Sequence, residues 1–245
     1  MAFKPRIFLS HITGETVMIT DESDINHIKN VLRIPVNGEL TVCDGKETVY
    51  PGKIQAFLPD GISVFLGEGK PDDSEFPFPV TVYQCYPKGE KAETVVQKAV
   101  ELGATSIVFV LSERCVARPD EKSMQKKLSR LQKIADSAAA QCGRGILPPV
   151  RGLISYSEAC KEAASTDCAF LCYEGEGTLP LRQILEAKPN AKSYAFLIGP
   201  EGGIAPKEAE EAVSAGLTLA GLGSRILRTE TASLFVLSAM NVLCS

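Results

Sequence analysis

Near Val80 the hydrophobic period of the chain changes. From there on, short apolar runs alternate with segments of helical period: VTVYQCY, then KAETVVQKAVELGA ending at Gly103, then SIVFVLSE, then EKSMQKKLSRLQKIADSAAAQCGR. In the last of these, Met124, Leu128, Leu131, Ala135 and Ala138 fall at three- and four-residue spacing. That spacing predicts one buried stripe and turns Lys126, Lys127, Arg130 and Lys133 away from it, towards solvent or a ligand. The strands DCAFLCYE, SYAFLIG and LTLAGLG follow, with helices between them and one more near the end of the chain. Such alternation predicts an α/β domain, a mostly parallel sheet covered by helices on both faces. Ahead of Val80, RIFLS, ETVMIT, ELTVCD, TVYPGKIQAF and GISVFLGE read as short strands broken by Gly14, Gly38, Asp44-Gly45 and Asp60-Gly61. One helical segment near DINHIKNVLR interrupts them, and the whole predicts a small β-barrel. PDDSEFPFP (71–79), acidic and with three prolines, reads as a linker. Two domains are predicted, at 1–74 and 75–245.

Composition narrows the function classes. The chain has 245 residues, 44% of them hydrophobic and 23% charged, ordinary for a soluble globular protein with a full core. It contains no apolar run of about eighteen residues, so no membrane partner is predicted. The N-terminal MAFKPRIFLSHITGE lacks a signal peptide's long apolar stretch, which predicts a cytoplasmic protein. Eight cysteines are scattered without a C-x-x-C pair and are predicted to be reduced core residues. The two histidines, His11 and His27, are both early, which speaks against zinc hydrolases and Ser-His-Asp triads; no metal is predicted. The net charge is −4, yet residues 112–151 hold nine basic side chains against four acids. A phosphate footprint and a solvated helix face would both produce that count.

In open α/β sheets, ligands collect where strands end and loops turn into helices. Three strands end on informative loops: LCYEGEG after Cys172, GPEGG after Ile198 and GLGSRILRTET after Ala220. Glycines at 199, 202 and 203 let backbone groups face a ligand directly. Pro206 suits the first turn of the next helix, and Glu208, Glu210 and Glu211 near that turn would repel a phosphate. GLGSRI (221–226) begins as a dinucleotide fingerprint but has isoleucine in place of the third glycine, and no P-loop occurs. Arg225 and Arg228 stand in a polar loop before an apolar helix that Thr229 can cap, with Glu230 at its start.

FLIGPEGGIAPKEAEEA followed by LGSRILRTETA resembles the bacterial ribosomal RNA small subunit methyltransferase E family, within the SPOUT class of knotted methyltransferases. HIKNVLR (27–33), QKAVELGATSI (97–107), SERCVAR (112–118) and AAAQCGR (138–144) extend the resemblance over nearly the whole chain, in order. It implies an N-terminal PUA-like β-barrel for RNA binding, then a SPOUT α/β domain with a C-terminal deep trefoil knot. The implied cofactor is S-adenosyl-L-methionine, held bent in the knot mostly by backbone contacts. Its matching positions are Leu171, Cys172 and Tyr173, then Leu197, Ile198, Gly199, Pro200, Glu201, Gly202 and Gly203, then Leu222, Gly223, Ser224, Ile226, Leu227 and Arg228. A homodimer is implied, with the site near the dimer interface.

The family's reaction is N3 methylation of a uridine in 16S rRNA near the decoding centre, so the partner is rRNA, in the assembled small subunit. The ring N3–H must be lost as the methyl group arrives, which asks for a proton acceptor and for stabilisation of charge on the flanking carbonyl oxygens. Glu201 and Glu230 are the candidate bases and Arg228 and Arg225 the candidate stabilisers, with Glu201 and Arg228 preferred. Either glutamate can instead fix a loop or cap a helix. Phosphate contact is the simplest use of Arg114, Arg118 and Arg144, and Arg6, His27 and Arg33 are candidates in the barrel. A different SPOUT enzyme, a non-catalytic ribosome assembly factor and a nicotinamide dehydrogenase are the competing readings. Intact loop glycines and Arg228 count against the second, the incomplete fingerprint against the third.

Overall fold

A computed structural model describes residues 4–244. The chain divides into two units, one of residues 1–75 with 139–147 and one of residues 76–138 with 148–245. In the first unit, β1 (Arg6–Phe8), β2 (Thr16–Ile19), β3 (Glu39–Cys43), β4 (Thr48–Leu58) and β5 (Gly61–Leu66) pair in the order β1-β3-β4-β5-β2. The short β6 (Lys70–Pro71) joins β4. Pairing is antiparallel except between β1 and β3. Alternate residues of these strands, including Leu40, Val42, Ile54, Ile62 and Val64, point into one apolar core, closed by Ile28. The helical segment is α1 (Glu22–Asn26), capped by Asp21, running into a π-helical turn at His27–Val31.

The stretch 71–79, expected to be a linker, is tied down within this unit as far as Glu75. Asp72 pairs with Arg6, and Glu75 takes a bidentate pair from Arg144 in the borrowed segment 139–147. Both carboxylates are almost fully buried. Gly145 is packed so closely that a Cβ there would sit 2.8 Å from that of Asp72.

The second unit holds a seven-stranded parallel sheet. Its strands are β7 (Val80–Cys85), β8 (Ser106–Leu111), β9 (Val150–Ser155), β10 (Cys168–Cys172), β11 (Leu179–Pro180), β12 (Tyr194–Ile198) and β13 (Thr218–Gly221). They lie in the order β11-β13-β10-β12-β7-β8-β9, every pair parallel. Central β12, YAFLI, is buried at all five positions, the signature of a strand covered on both faces. Each large side chain so buried contributes about 1.5–3 kcal/mol.

Alternation along the strands splits the core. Tyr83, Cys85, Val108, Val110, Leu171 and Leu197 pack against α4 (Tyr156–Ala164) and α6 (Pro206–Ala215). The alternate residues, with Phe170 stacked on Phe196 at 5.6 Å, face the opposite side. On that side α7 (Thr229–Leu243) packs with α2 (Lys91–Glu101) and α5 (Leu181–Glu186). On α3 (Glu121–Cys142), Met124, Leu131, Ala135 and Ala138 are buried and Leu128 is half-buried. Lys126, Lys127, Arg130 and Lys133 are exposed. Lys127 lies over the Tyr86 ring and Arg130 pairs with Glu93, both ordinary surface fittings. Six of the eight cysteines are buried. Among the described residues no helix is long and apolar enough to cross a membrane.

Candidate active site

Adjacent strands β13, β10 and β12 carry their chains to the same edge of the sheet, because parallel strands end together. The loops that follow them enclose a cavity of about 510 Å³. Cys172 and Tyr173 line it from the first loop, Ile198, Gly199, Pro200, Glu201 and Gly203 from the second. Leu222, Gly223, Ser224, Arg225, Ile226, Leu227 and Arg228 line it from the third. Three positions expected at the site lie elsewhere. Leu171 and Leu197 are fully buried strand residues that support the wall from behind, and exposed Gly202 faces Arg114.

Six further residues, none of them expected at the site, line the cavity: Lys91, Glu174, Thr178, Gly221, Thr229 and Ala232. Glu174 follows Tyr173 directly and was legible as the acid of LCYEGEG. Lys91 opens α2, more than a hundred residues from the loops it meets, and no local signal marks it.

Gly203 adopts φ +70°, and a Cβ there would land on the Glu174 carboxylate. A Cβ on Gly199 would press to 3.0 Å from Ile204. Main chain thus passes where a side chain would not fit. The Gly203 N–H closes the turn on the Pro200 carbonyl at 3.0 Å, and α6 then starts at Pro206. Buried Glu208 accepts from the Ala205 N–H at 3.1 Å and from the Glu113 N–H at 2.7 Å. It therefore ties the loop after β8 to the helix behind GPEGG. Arg114 adds a second tie, donating to the Gly202 carbonyl at 3.1 Å.

The Glu201 carboxylate accepts from the Lys88 N–H at 3.1 Å and from Lys91 Nζ at 3.0 Å. Partial burial pushes its pKa up, but hydrogen bonds from its own N–H, Lys91 and the Lys88 N–H outweigh that and leave it lowered. A carboxylate held ionised by converging donors is a weak proton acceptor. Of the two uses open to Glu201, its geometry is that of a loop anchor. Lys91 also reaches Glu230 at 3.4 Å, so one ammonium joins the GPEGG loop to the first turn of α7. Hydrogen bonding to Glu201 is the main cause that raises the Lys91 pKa.

Thr229 does not cap α7. Arg228 occupies the N-cap position without a side-chain cap, its carbonyl accepting from the N–H groups of Thr231 and Ala232. The Thr229 hydroxyl instead donates to the Gly199 carbonyl at 2.6 Å. Arg225 and Arg228 stand on the cavity rim, both of them exposed.

The arginines expected to meet RNA separate into two groups. Arg114, Arg33 and Arg118 are exposed, and Arg118 braces its own loop through the carbonyls of Ser112 and Glu113. Arg144 is buried against Glu75, and Arg6 is committed to Asp72. A phosphate contact by either would have to break a buried ion pair, so both are corrected to structural residues.

Comparison with known proteins agrees with this architecture. The RNA methyltransferase domain family matches residues 74–241, and the RNA methyltransferase PUA domain family matches residues 19–57. The ribosomal RNA small subunit methyltransferase E of Bacillus subtilis is 32% identical over 92% of this chain and 90% of its own length. That of Synechocystis is 30% identical over 99% of this chain and 78% of its own length. The crystal structure of the Neisseria gonorrhoeae enzyme of the same name, bound to S-adenosyl methionine, is 32% identical and superposes with a TM-score of 0.85 over 98% of both chains. This chain belongs to the ribosomal RNA small subunit methyltransferase E family.

Proposed function

We propose that this protein transfers the methyl group of S-adenosylmethionine to N3 of a uridine in 16S rRNA, near the decoding centre of the small ribosomal subunit. The carrying observation is the cavity itself, walled by three glycine-bearing loops at the ends of adjacent parallel strands. Its residues fit this cofactor. Main-chain groups at Gly199, Gly203 and Gly223 can meet the polar edges of an adenosyl group, and Ile198, Leu222 and Leu227 its flat faces. Glu174 and Glu201 put negative charge beside a cation and would repel a nucleotide phosphate.

When bound, S-adenosylmethionine supplies an electrophilic methyl carbon on a sulfonium centre. The protein supplies the rest. Arg228, with Arg225 close by in the same loop, lies on the rim where guanidinium donors can meet the carbonyl oxygens flanking the uridine N3. Stabilising negative charge there makes the N3 proton more acidic, and it leaves to water at the open rim. Glu201 acts by holding its loop, in place of the proton-accepting role.

Phosphate contact falls to Arg114, Arg118 and Arg33, the members of the arginine set that are not held in buried ion pairs. A closed PUA-like barrel for the first unit and a deep trefoil knot around residues 199–228 complete the reading. The knot is supported by β13 lying between β10 and β11, which brings 222–228 beside both other loops. A homodimer through the outer face of α7 is supported by exposed Phe235 and Val242 on a helix already apolar on its inner face. An rRNA substrate supports the expected cytoplasmic location.

Ligand-dependent melting tests the cofactor assignment. S-adenosylmethionine is expected to raise the melting temperature, by about 2.7 kcal/mol of added stability at a hundredfold excess over Kd. NAD is expected to leave it unchanged. Stabilisation by NAD alone would overturn the assignment in favour of a dehydrogenase.

A further inference from the structure

Gln84 occupies a central strand of the second unit and is completely buried, yet one of its polar atoms has no partner. Its Nε2 donates to the Thr229 hydroxyl at 2.7 Å and to the Cys85 carbonyl at 3.1 Å. Its Oε1 is buried without a hydrogen bond. Packing alone does not favour such a residue, since an apolar side chain of the same length would fill the space and leave nothing unsatisfied. Valines precede it at positions 80 and 82 of the same strand.

The other end of this chain of hydrogen bonds lies at the cavity. Gln84 pairs in register with Ile198, the residue before Gly199. The Thr229 hydroxyl that receives its amide donates onward to the Gly199 carbonyl at 2.6 Å. A hydroxyl has one proton, so its direction decides what it can hold. With the amide turned over, Oε1 would accept that proton and the Gly199 carbonyl would lose its donor. The observed orientation aims the hydroxyl at the loop. Three elements 145 residues apart at their extremes are thereby joined: the end of β7, the first residue of α7 and the start of GPEGG.

We infer that Gln84 is a positioning residue for the cofactor cavity: its amide orients the Thr229 hydroxyl, which fixes the Gly199 carbonyl and with it the turn from Gly199 to Gly203 against α7. The inference rests on the reading of that cavity as the S-adenosylmethionine site. Gln84 is not among the residues that line the cavity and acts only through Thr229.

Two isosteric variants and one conservative variant test it. Gln84→Met removes the amide while keeping length, Thr229→Val removes the hydroxyl while keeping shape, and Thr229→Ser keeps the hydroxyl. Calorimetric titration with S-adenosylmethionine is expected to show about tenfold weaker binding for Gln84→Met and Thr229→Val, equivalent to about 1.4 kcal/mol. Thr229→Ser should bind within about twofold of wild type, and Gln84→Met should melt no lower than wild type. The double variant Gln84→Met/Thr229→Val should bind no more weakly than Thr229→Val alone, because both act through one hydrogen bond. In the ligand-free protein, amide exchange at residues 199–203 should be about tenfold faster in Thr229→Val and restored in Thr229→Ser.

Wild-type affinity in Thr229→Val, or affinity loss that merely tracks melting temperature across the set, would overturn the inference. If Gln84→Met does not fold, the Thr229→Val and Thr229→Ser pair decides alone. A wild-type protein that does not bind S-adenosylmethionine would overturn the cofactor reading, while the exchange measurement would still decide whether the loop is held.

Discussion

Two arginines of the first unit and four of the second do opposite work. In the first unit, Arg6 and Arg144 turn inward to Asp72 and Glu75, with both partners of each pair largely or wholly removed from water. In the second unit, Arg114 and Arg118 spend hydrogen bonds on backbone carbonyls, while Arg225 and Arg228 stand on the cavity rim. A guanidinium is always charged and carries five donors in a fixed fork, so its role is decided by what meets it. A buried carboxylate makes it a structural tie. Carbonyls that take only one or two donors leave the charge available to an anion.

Glu75 is where this contrast can be broken most forcefully. Glu75→Ala leaves the Arg144 guanidinium charged and buried without its bidentate partner, and should cost about 3–5 kcal/mol in denaturant unfolding. RNA affinity measured on the folded fraction should keep its wild-type salt dependence. Loss of RNA binding without loss of stability would move Arg144 back into the RNA-binding group.

Arg228→Ala should do the reverse. Methyl transfer should fall about 10²–10³-fold, the usual cost of removing one donor to developing charge. Stability should change by no more than about 0.5 kcal/mol, as for a surface side chain. Turnover at the wild-type rate would take this arginine out of the mechanism.

Charge reversal at Arg114 and Arg118 sharpens the contrast on a smaller scale. For every phosphate that an arginine no longer neutralises, the slope of log affinity against log salt should fall by about one. Because Arg114 also holds the Gly202 carbonyl, Arg114→Glu should weaken cofactor binding slightly and Arg118→Glu should not. An unchanged salt slope in both would confine these residues to loop bracing.

The smallest effect concerns pH. The folded-state pKa of Glu201 is lowered, so its contribution to stability is complete above its ordinary value of 4.5 and is lost as pH falls through the lower folded value. Lys91, with a raised pKa, contributes fully below its ordinary 10.5 and loses that contribution only as pH rises further. Cofactor affinity should therefore be flat from about pH 6 to about pH 9. A Glu201→Gln variant should bind somewhat more weakly while keeping the flat profile. A mid-range inflection in kcat of wild type that Glu201→Gln abolishes would restore Glu201 as the proton acceptor.

Local pattern carried much of this structure. The change of period at Val80, the buried run YAFLI and the stripe along α3 report burial of nearby residues, and burial sets periodicity within a few residues. GPEGG and LGSRILRTET were legible for the same reason: they are continuous stretches whose glycines and arginines announce a loop that meets something. Pairings closed over long separations were not legible. Arg6 and Asp72 lie 66 residues apart, Arg144 and Glu75 lie 69 apart, and Lys91 meets Glu201 across 110. Nothing in PDDSEFPFP distinguishes an acid in solvent from one awaiting a distant guanidinium, so a pinned segment looked like a linker. Thr229 shows the same limit. A threonine before a helical run suits a cap, and only the approach of Gly199 and Gln84 gives its hydroxyl a different use.

The most direct test of the account is methyl transfer from labelled S-adenosylmethionine to purified small ribosomal subunits that lack the modification, followed by nucleoside analysis. The account predicts label in 3-methyluridine from 16S rRNA, with the signal lost in Arg228→Ala. Absence of transfer by a protein that binds the cofactor, or label in a different nucleoside, would contradict it.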